Sequence, residues 1–259
     1  MPDLLVKKIS ADYHVEIREK WNLISTNRTA FDSVSFSVQE GKKLAVVGET
    51  GSGKSSLLKT LCGFLPISSG EIWLNEKRID NLKVKQWKSL RKEIQIILQN
   101  PMTAFNPSIS IKSSLFNVLN SHYTLSDSQK SDLLFSEMKL IHLADNLLNK
   151  LPNELSGGQL QRFSVIRSFL LNPKLLLCDE PMASLDQENQ KLLLDYINTK
   201  SFQNKCSIIW VTHQLTFIDE FCDHILILKD GKVQDFGSLS DLKQNLNSEY
   251  SKTLLQTIH

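Results

Sequence analysis

Short, uninterrupted apolar runs set the rhythm of this chain: "KLAVVG" (43–48), "IQIILQ" (94–99), "KLLLCDE" (174–180), "CSIIWVTH" (206–213) and "HILILKDGKV" (224–233). Runs of this length, without polar alternation, suit strands buried on both faces, and the helix-like stretches between them predict a mostly parallel α/β sheet. "FDSVSFSV" (31–38) behaves differently. It alternates, and with "SSGEIWLNE" (68–76) it predicts antiparallel strands flanking that core. Between Asn106 and Leu151 the strand character fades, and "SDSQKSDLLFSEMKLIHLADNLLNKL" (126–151) places apolar residues at helical spacing. A helical insertion is expected there. No internal repeat, low-complexity tract or proline-rich linker interrupts the pattern, so one domain is expected.

Composition narrows the class without naming a function. With 259 residues, 41% apolar and 22% charged, the chain has an ordinary globular make-up. Its net charge of +2 is too small to argue for nucleic acid or an anionic membrane as a partner. The basic stretch "KVKQWKSLRKE" (83–93) reads as a solvated helix face with Trp87 and Leu90 turned inward. The four cysteines, Cys62, Cys178, Cys206 and Cys222, have no C-x-x-C pairing, which argues against a zinc site or a disulfide framework and fits a reducing compartment. "MPDLLVKKIS" lacks an apolar core of leader length, and no run reaches the eighteen or so apolar residues of a membrane span.

Three stretches carry chemistry. "GETGSGKSS" (48–56) fits G-x-x-x-x-G-K-[ST] at Gly48, Gly53, Lys54 and Ser55, with a strand before it and a helix after it. Glycines let successive backbone N–H groups curl around an anion, and the helix N-terminus adds favourable potential. Lys54 would reach the β- and γ-phosphates and Ser55 would hold Mg²⁺. The second stretch ends a strand in two carboxylates: Asp179 suits a magnesium ion, and Glu180 suits polarising the water that attacks the γ-phosphate. In the third, "LSGGQLQRF" (155–163), Ser156 and Gln159 form a capping-box pattern, and two glycines leave a bare helix N-terminus. A second phosphate-facing helix end in a chain with one phosphate loop invites a head-to-tail partner.

In order along the chain stand the phosphate loop, Gln99 in "IILQNP", "LSGGQ", "LLLCDE", "ASLD" (183–186) and His213 in "WVTH". Together they resemble the nucleotide-binding subunit of an ABC transporter from about residue 30 to 235. The resemblance implies the ABC ATPase fold: a P-loop NTPase (RecA-like) α/β core with a mostly parallel sheet, an antiparallel β subdomain and a helical insertion. Core and β subdomain would occupy about 1–98 and 163–240, the helical subdomain about 99–162, and a tail helix about 241–259. ATP and Mg²⁺ are the implied ligands. Gly48, Glu49, Thr50, Gly51, Ser52, Gly53, Lys54, Ser55 and Ser56 would cradle the phosphates, with Ser55, Gln99 and Asp179 on the metal. Gln99 would sense the γ-phosphate, Glu180 would act as base, and His213 would orient the water. Ser156, Gly157, Gly158 and Gln159 would reach the nucleotide of the facing subunit, and Asp186 would bridge the two sites. For the aromatic that stacks on adenine, Trp21 is favoured over Tyr13 and Phe31.

A narrower resemblance concerns cargo. "QNPMTAFNP" (99–107) is similar to the corresponding segment of importers for oligopeptides, dipeptides and nickel. "SEYSKTLLQTI" resembles that subfamily's closing motif H-P-Y-T-x-x-L-L, with Glu249 for proline and Ser251 for threonine. No cysteine follows Cys222, so the iron–sulfur cluster of some longer members is not expected. The implied partners are two integral membrane permease subunits, a second ABC ATPase subunit (a copy of this chain or a paralogue) and a solute-binding protein, with no nucleic acid. The implied place is peripheral, on the cytoplasmic face of the cell (inner) membrane. An exporter ATPase is the alternative. DNA-repair ATPases with these motifs need a coiled coil between Ser55 and Leu155, for which there is no room, and ribosome-associated ones normally carry two cassettes.

Overall fold

The buried apolar runs become strands, and what pairs with each decides where the site falls. A computed structural model describes residues 4–19, 22–183, 185–213, 218–244, 246 and 248–256. In chain order the elements are β1 (Leu4–Glu19), β2 (Asn22–Val38), β3 (Lys43–Val47), α1 (Lys54–Leu61), β4 (Ser69–Leu74), β5 (Lys77–Arg78), α2 (Val84–Leu90), β6 (Ile94–Ile97), α3 (Ile111–Asn120), α4 (Asp127–Leu140), α5 (Gly157–Phe169), β7 (Leu175–Asp179), α6 (Gln187–Asn204), β8 (Ser207–Val211), α7 (Ile218–Phe221), β9 (His224–Lys229), β10 (Lys232–Ser238), α8 (Leu239–Gln244) and α9 (Glu249–Gln256). Among the described residues no helix is long and apolar enough to cross a membrane.

The chain divides into two compact units, 1–87 with 207–259, and 88–206. In the first, β3 lies between β8 and β9 and runs parallel to both, while β10 adds antiparallel to β9. Leu44, Val46, Ile209, Val211, Ile225 and Ile227 are fully buried, as strands covered on both faces require. A second sheet in the same unit has the order β2-β1-β4-β5, and its pairings are antiparallel. In the other unit β6 and β7 pair in parallel, Ile97 opposite Cys178. The helices of this unit bury Leu134 and Met138 from α4 and Phe163 and Ile166 from α5. The α/β expectation holds: parallel strands, a separate antiparallel sheet, and helices over 111–140.

The structure departs from the sequence reading in three places. β1 is a strand of 16 residues that the apolar pattern does not announce. Its register against β2 shifts between Val6 and Ile9, between Ile9 and Ala11, and between Ala11 and Asp12, so the period-2 alternation breaks at each bulge. Lys8, inside the first shift, has a left-handed φ of 44°. The helical spacing over 126–151 ends early: α4 stops at Leu140, His142 turns left-handed at φ 50°, and short 3₁₀ turns follow over Asp145–Asn149 and Pro152–Glu154. Among the described residues the tail forms two helices, α8 and α9, where one was expected. In α2, Leu90 is buried, Trp87 half-buried, and Lys85 and Lys88 are exposed, as is Lys83 just before it, the solvated face that was expected.

Candidate functional site

In the first unit the loop after β3 is shaped by close backbone approach. A Cβ on Gly48 would fall 2.0 Å from the Leu228 carbonyl oxygen of β9, so no side chain fits there. Gly53 closes the loop at φ 101° and starts α1 without any side-chain cap. The first-turn N–H groups of a helix have no intrahelical partner, and an oxyanion is their natural complement. Lys54 is 7% exposed. Its ammonium donates to the Gly48 and Glu49 carbonyls, at 2.8 and 2.7 Å. A buried ammonium needs such partners, and here they hold the positive charge at the mouth of the loop. The Ser52 N–H closes the turn onto the Glu49 carbonyl at 3.1 Å.

Parallel pairing brings His213 to the same edge. Val46 lies opposite Val211, and the Thr212 N–H donates to the Val46 carbonyl at 3.3 Å. Gly48 and His213 thus each leave the sheet two residues past paired positions, at the carboxyl ends of parallel strands where ligands of such sheets bind. Two tyrosines also approach the loop. The Tyr13 hydroxyl donates to Ser56 Oγ at 3.2 Å. Tyr250 Oη, on α9, accepts the Glu49 N–H at 3.1 Å. Trp21, the favoured aromatic, lies outside the described residues.

The second unit brings together the other polar groups. β6 and β7 end side by side, and Gln99 and Glu180 follow two residues beyond the Ile97–Cys178 pair. Gln99 Nε2 donates to Glu180 Oε2 at 3.1 Å. Asp179 closes β7, half-buried, and Glu180 holds a left-handed φ of 47°. For a glutamate that conformation costs on the order of 1–3 kcal/mol and persists only where its surroundings impose it. The strain sits on the carboxylate that the sequence assigns to water activation.

The predicted capping box forms as a reciprocal pair: Ser156 Oγ accepts the Gln159 N–H at 3.2 Å, and Gln159 Oε1 accepts the Ser156 N–H at 3.0 Å. Gly157 is exposed, and a methyl group added there would meet nothing within 4 Å, while Gly158 packs toward Leu185. Asp186 caps α6 by accepting the Asn189 N–H at 2.8 Å and also accepts from Asn189 Nδ2. These bonds from Asn189 hold its carboxyl below the usual carboxylate range, and Arg162 adds attraction. Arg162 itself donates to the Ile141 carbonyl at 3.1 Å, tying α5 to the end of α4.

Arg162 and Tyr250 are not singled out by the sequence alone. The first was visible as the arginine closing "LSGGQLQR"; the second stood within the tail motif but carried no sign of what it touches. The residues of each unit suit part of a magnesium nucleotide: in the first, an uncapped helix start, a loop-held lysine and a serine hydroxyl at 55 offer donors for phosphate and an oxygen for a hard cation, and in the second the carboxylate at the tip of β7 is a hard oxygen ligand. Among the described residues no cluster of three or more His, Cys, Asp or Glu forms a metal cage. A magnesium ion that shares its shell with phosphates and water needs none.

The family model described as "ABC transporter" matches residues 31–183. The oligopeptide transport ATP-binding protein OppF of Haemophilus influenzae is 32% identical over 231 residues, covering 88% of this chain and 69% of that protein. The nickel import system ATP-binding protein NikE of Staphylococcus aureus is 32% identical over 225 residues, covering 86% and 90%. A solved ATP-binding subunit of an ABC transporter superposes with a TM-score of 0.80 at 25% identity, over 98% of both chains.

Proposed function

This chain belongs to the ABC transporter family as an ATP-binding and ATP-hydrolysing subunit, and from that premise we propose that it energises import across the cytoplasmic membrane, with peptides or nickel and metal chelates as cargo. The observation that carries the reading is the Gln99–Glu180 hydrogen bond of 3.1 Å. It ties the carboxylate suited to water activation to the segment "QNPMTAFNP", whose resemblance to peptide and nickel importers is supported by the likeness to OppF and NikE.

In this reading Gly48 through Ser56 cradle the triphosphate, and Lys54, held by the Gly48 carbonyl, turns its remaining donors to β- and γ-phosphate oxygens. Tyr13, beside Ser56, stands on the approach to the loop and joins Trp21 as a candidate for the adenine ring. Ser55, Gln99 and Asp179 would hold Mg²⁺, which when bound neutralises charge on the phosphates. Glu180 takes the proton of the attacking water as its oxygen bonds to the γ-phosphorus and the bond to the β,γ-bridging oxygen breaks, leaving ADP and phosphate. His213 orients that water. Ser156, Gly157, Gly158 and Gln159 complete the site of a facing subunit: Ser156 Oγ uses a lone pair on its own helix and keeps its proton to donate outward. Asp186 bridges the two sites.

Closure around two nucleotides would move the helical segment 99–162 against two membrane permeases, with a second ATPase subunit opposite and a solute-binding protein delivering cargo. The chain would sit peripherally on the cytoplasmic face. Uptake of labelled oligopeptide and of chelated nickel in a strain lacking this chain tests the proposal. The intact chain should restore uptake of one of them and Lys54→Ala should restore neither. Full uptake with Lys54→Ala would overturn the proposal, as would cargo efflux in place of uptake.

A further inference from the structure

The leading arm of the phosphate loop is held by the C-terminal segment of the chain. Leu228 presents its carbonyl to Gly48, and the Gly231 N–H donates to the Ser52 carbonyl at 3.1 Å. Tyr250 Oη accepts the Glu49 N–H at 3.1 Å. The Lys229 ammonium lies 4.6 Å from the centre of the Tyr250 ring, a second contact on that side chain. Helix α9 is itself anchored: Ser248, just before it, donates through its N–H to Asp235 Oδ2 and through its hydroxyl to Gln234 Oε1, both on β10.

The consequence follows from the planarity of one peptide group. The Glu49 N–H and the Gly48 carbonyl belong to the same trans peptide and point in opposite directions. Turning the N–H toward Tyr250 therefore turns the Gly48 oxygen toward the Lys54 ammonium, which it meets at 2.8 Å. We infer that Tyr250 is a positioning residue for ATP binding: its phenol oxygen sets the 48–49 peptide plane, and through it the place of Lys54, so that the tail helix forms part of the nucleotide site. Burial keeps the phenol above its ordinary pKa, so the oxygen stays a neutral acceptor. The inference rests on the reading that loop 48–56 holds the phosphates of ATP. It adds a role for the tail motif that cargo class does not explain.

Tyr250→Phe isolates the oxygen, because the ring over Lys229 and the packing of α9 remain. The expected result is a rise of about fivefold in Kd and KM for ATP, the weight of one hydrogen bond. The kcat at saturating ATP should fall by no more than about twofold, as a ground-state binding defect requires. The Glu49 amide resonance should move upfield in the same variant, since its N–H loses an acceptor. An unchanged ATP affinity, an unmoved Glu49 resonance, or a loss confined to kcat would each overturn the inference. Lys54→Ala measured alongside separates the two levels. Normal ATP binding there would sink the reading of the loop, and the inference with it, whereas lost binding there with an indifferent Tyr250→Phe sinks the inference alone.

Discussion

At Gly48 the chain passes so near β9 that any Cβ would fall 2.0 Å from the Leu228 carbonyl oxygen, so the residue is fixed by space before any chemistry is considered. Gly48→Ala should destabilise the protein by about 2 kcal/mol or more, the range of a buried steric conflict. ATP binding should weaken by more than about tenfold, because a loop that shifts to relieve the conflict carries its carbonyls off Lys54. Denaturant titration and nucleotide titration check both, and near-normal values in either would show that β9 yields instead. This site was legible because the spacing of Gly48, Gly53, Lys54 and Ser55 encodes backbone shape and charge within eight residues. The left-handed Glu180 was not. Its carboxyl chemistry shows in "CDE", but the conformation comes from the tertiary surroundings, which no local pattern reports.

Among the elements, α5 and α6 show how far local rules reach. Their caps are made between residues three apart, so Ser156–Gln159 could be read directly, and Asp186 before Gln187 obeys the same rule. Asp186 also gives the pH prediction. Hydrogen bonds from Asn189 lower its folded-state pKa, so the stability it contributes is complete above the unfolded value of about 3.9 and is lost as pH falls through the lower folded value. Asp186→Asn should flatten the acid side of a melting-temperature profile below about pH 4 while changing little of its shape at neutral pH. An unaltered acid limb would mean that Asp186 is as protonated in the folded chain as in the unfolded one. β1 marks the limit of the same local rules. Three register shifts scatter its apolar residues across both phases of the alternation, so its identity as a strand depends on its partners β2 and β4.

For the molecule as a whole, direction of transport and cargo are the least legible, because in the proposed reading other subunits read the cargo and this chain supplies the energy. What the proposal asks of this chain is to bind ATP and to pair around it. Glu180→Gln removes the base and leaves the phosphate loop intact, so with saturating MgATP it should run as a stable dimer by light scattering and hydrolyse ATP at least about a hundredfold more slowly. A monomer under those conditions would argue against nucleotide-bridged pairing. The pairing of β3 has a further consequence, during synthesis. Its two neighbours, β8 and β9, begin at Ser207 and His224, about 160 residues or more after β3 ends at Val47. At roughly 5–20 residues per second, β3 leaves the ribosome on the order of ten to thirty seconds before either partner exists. Throughout that interval a largely apolar strand has neither of its final neighbours, the kind of exposed edge that chaperones cover and fast translation shortens.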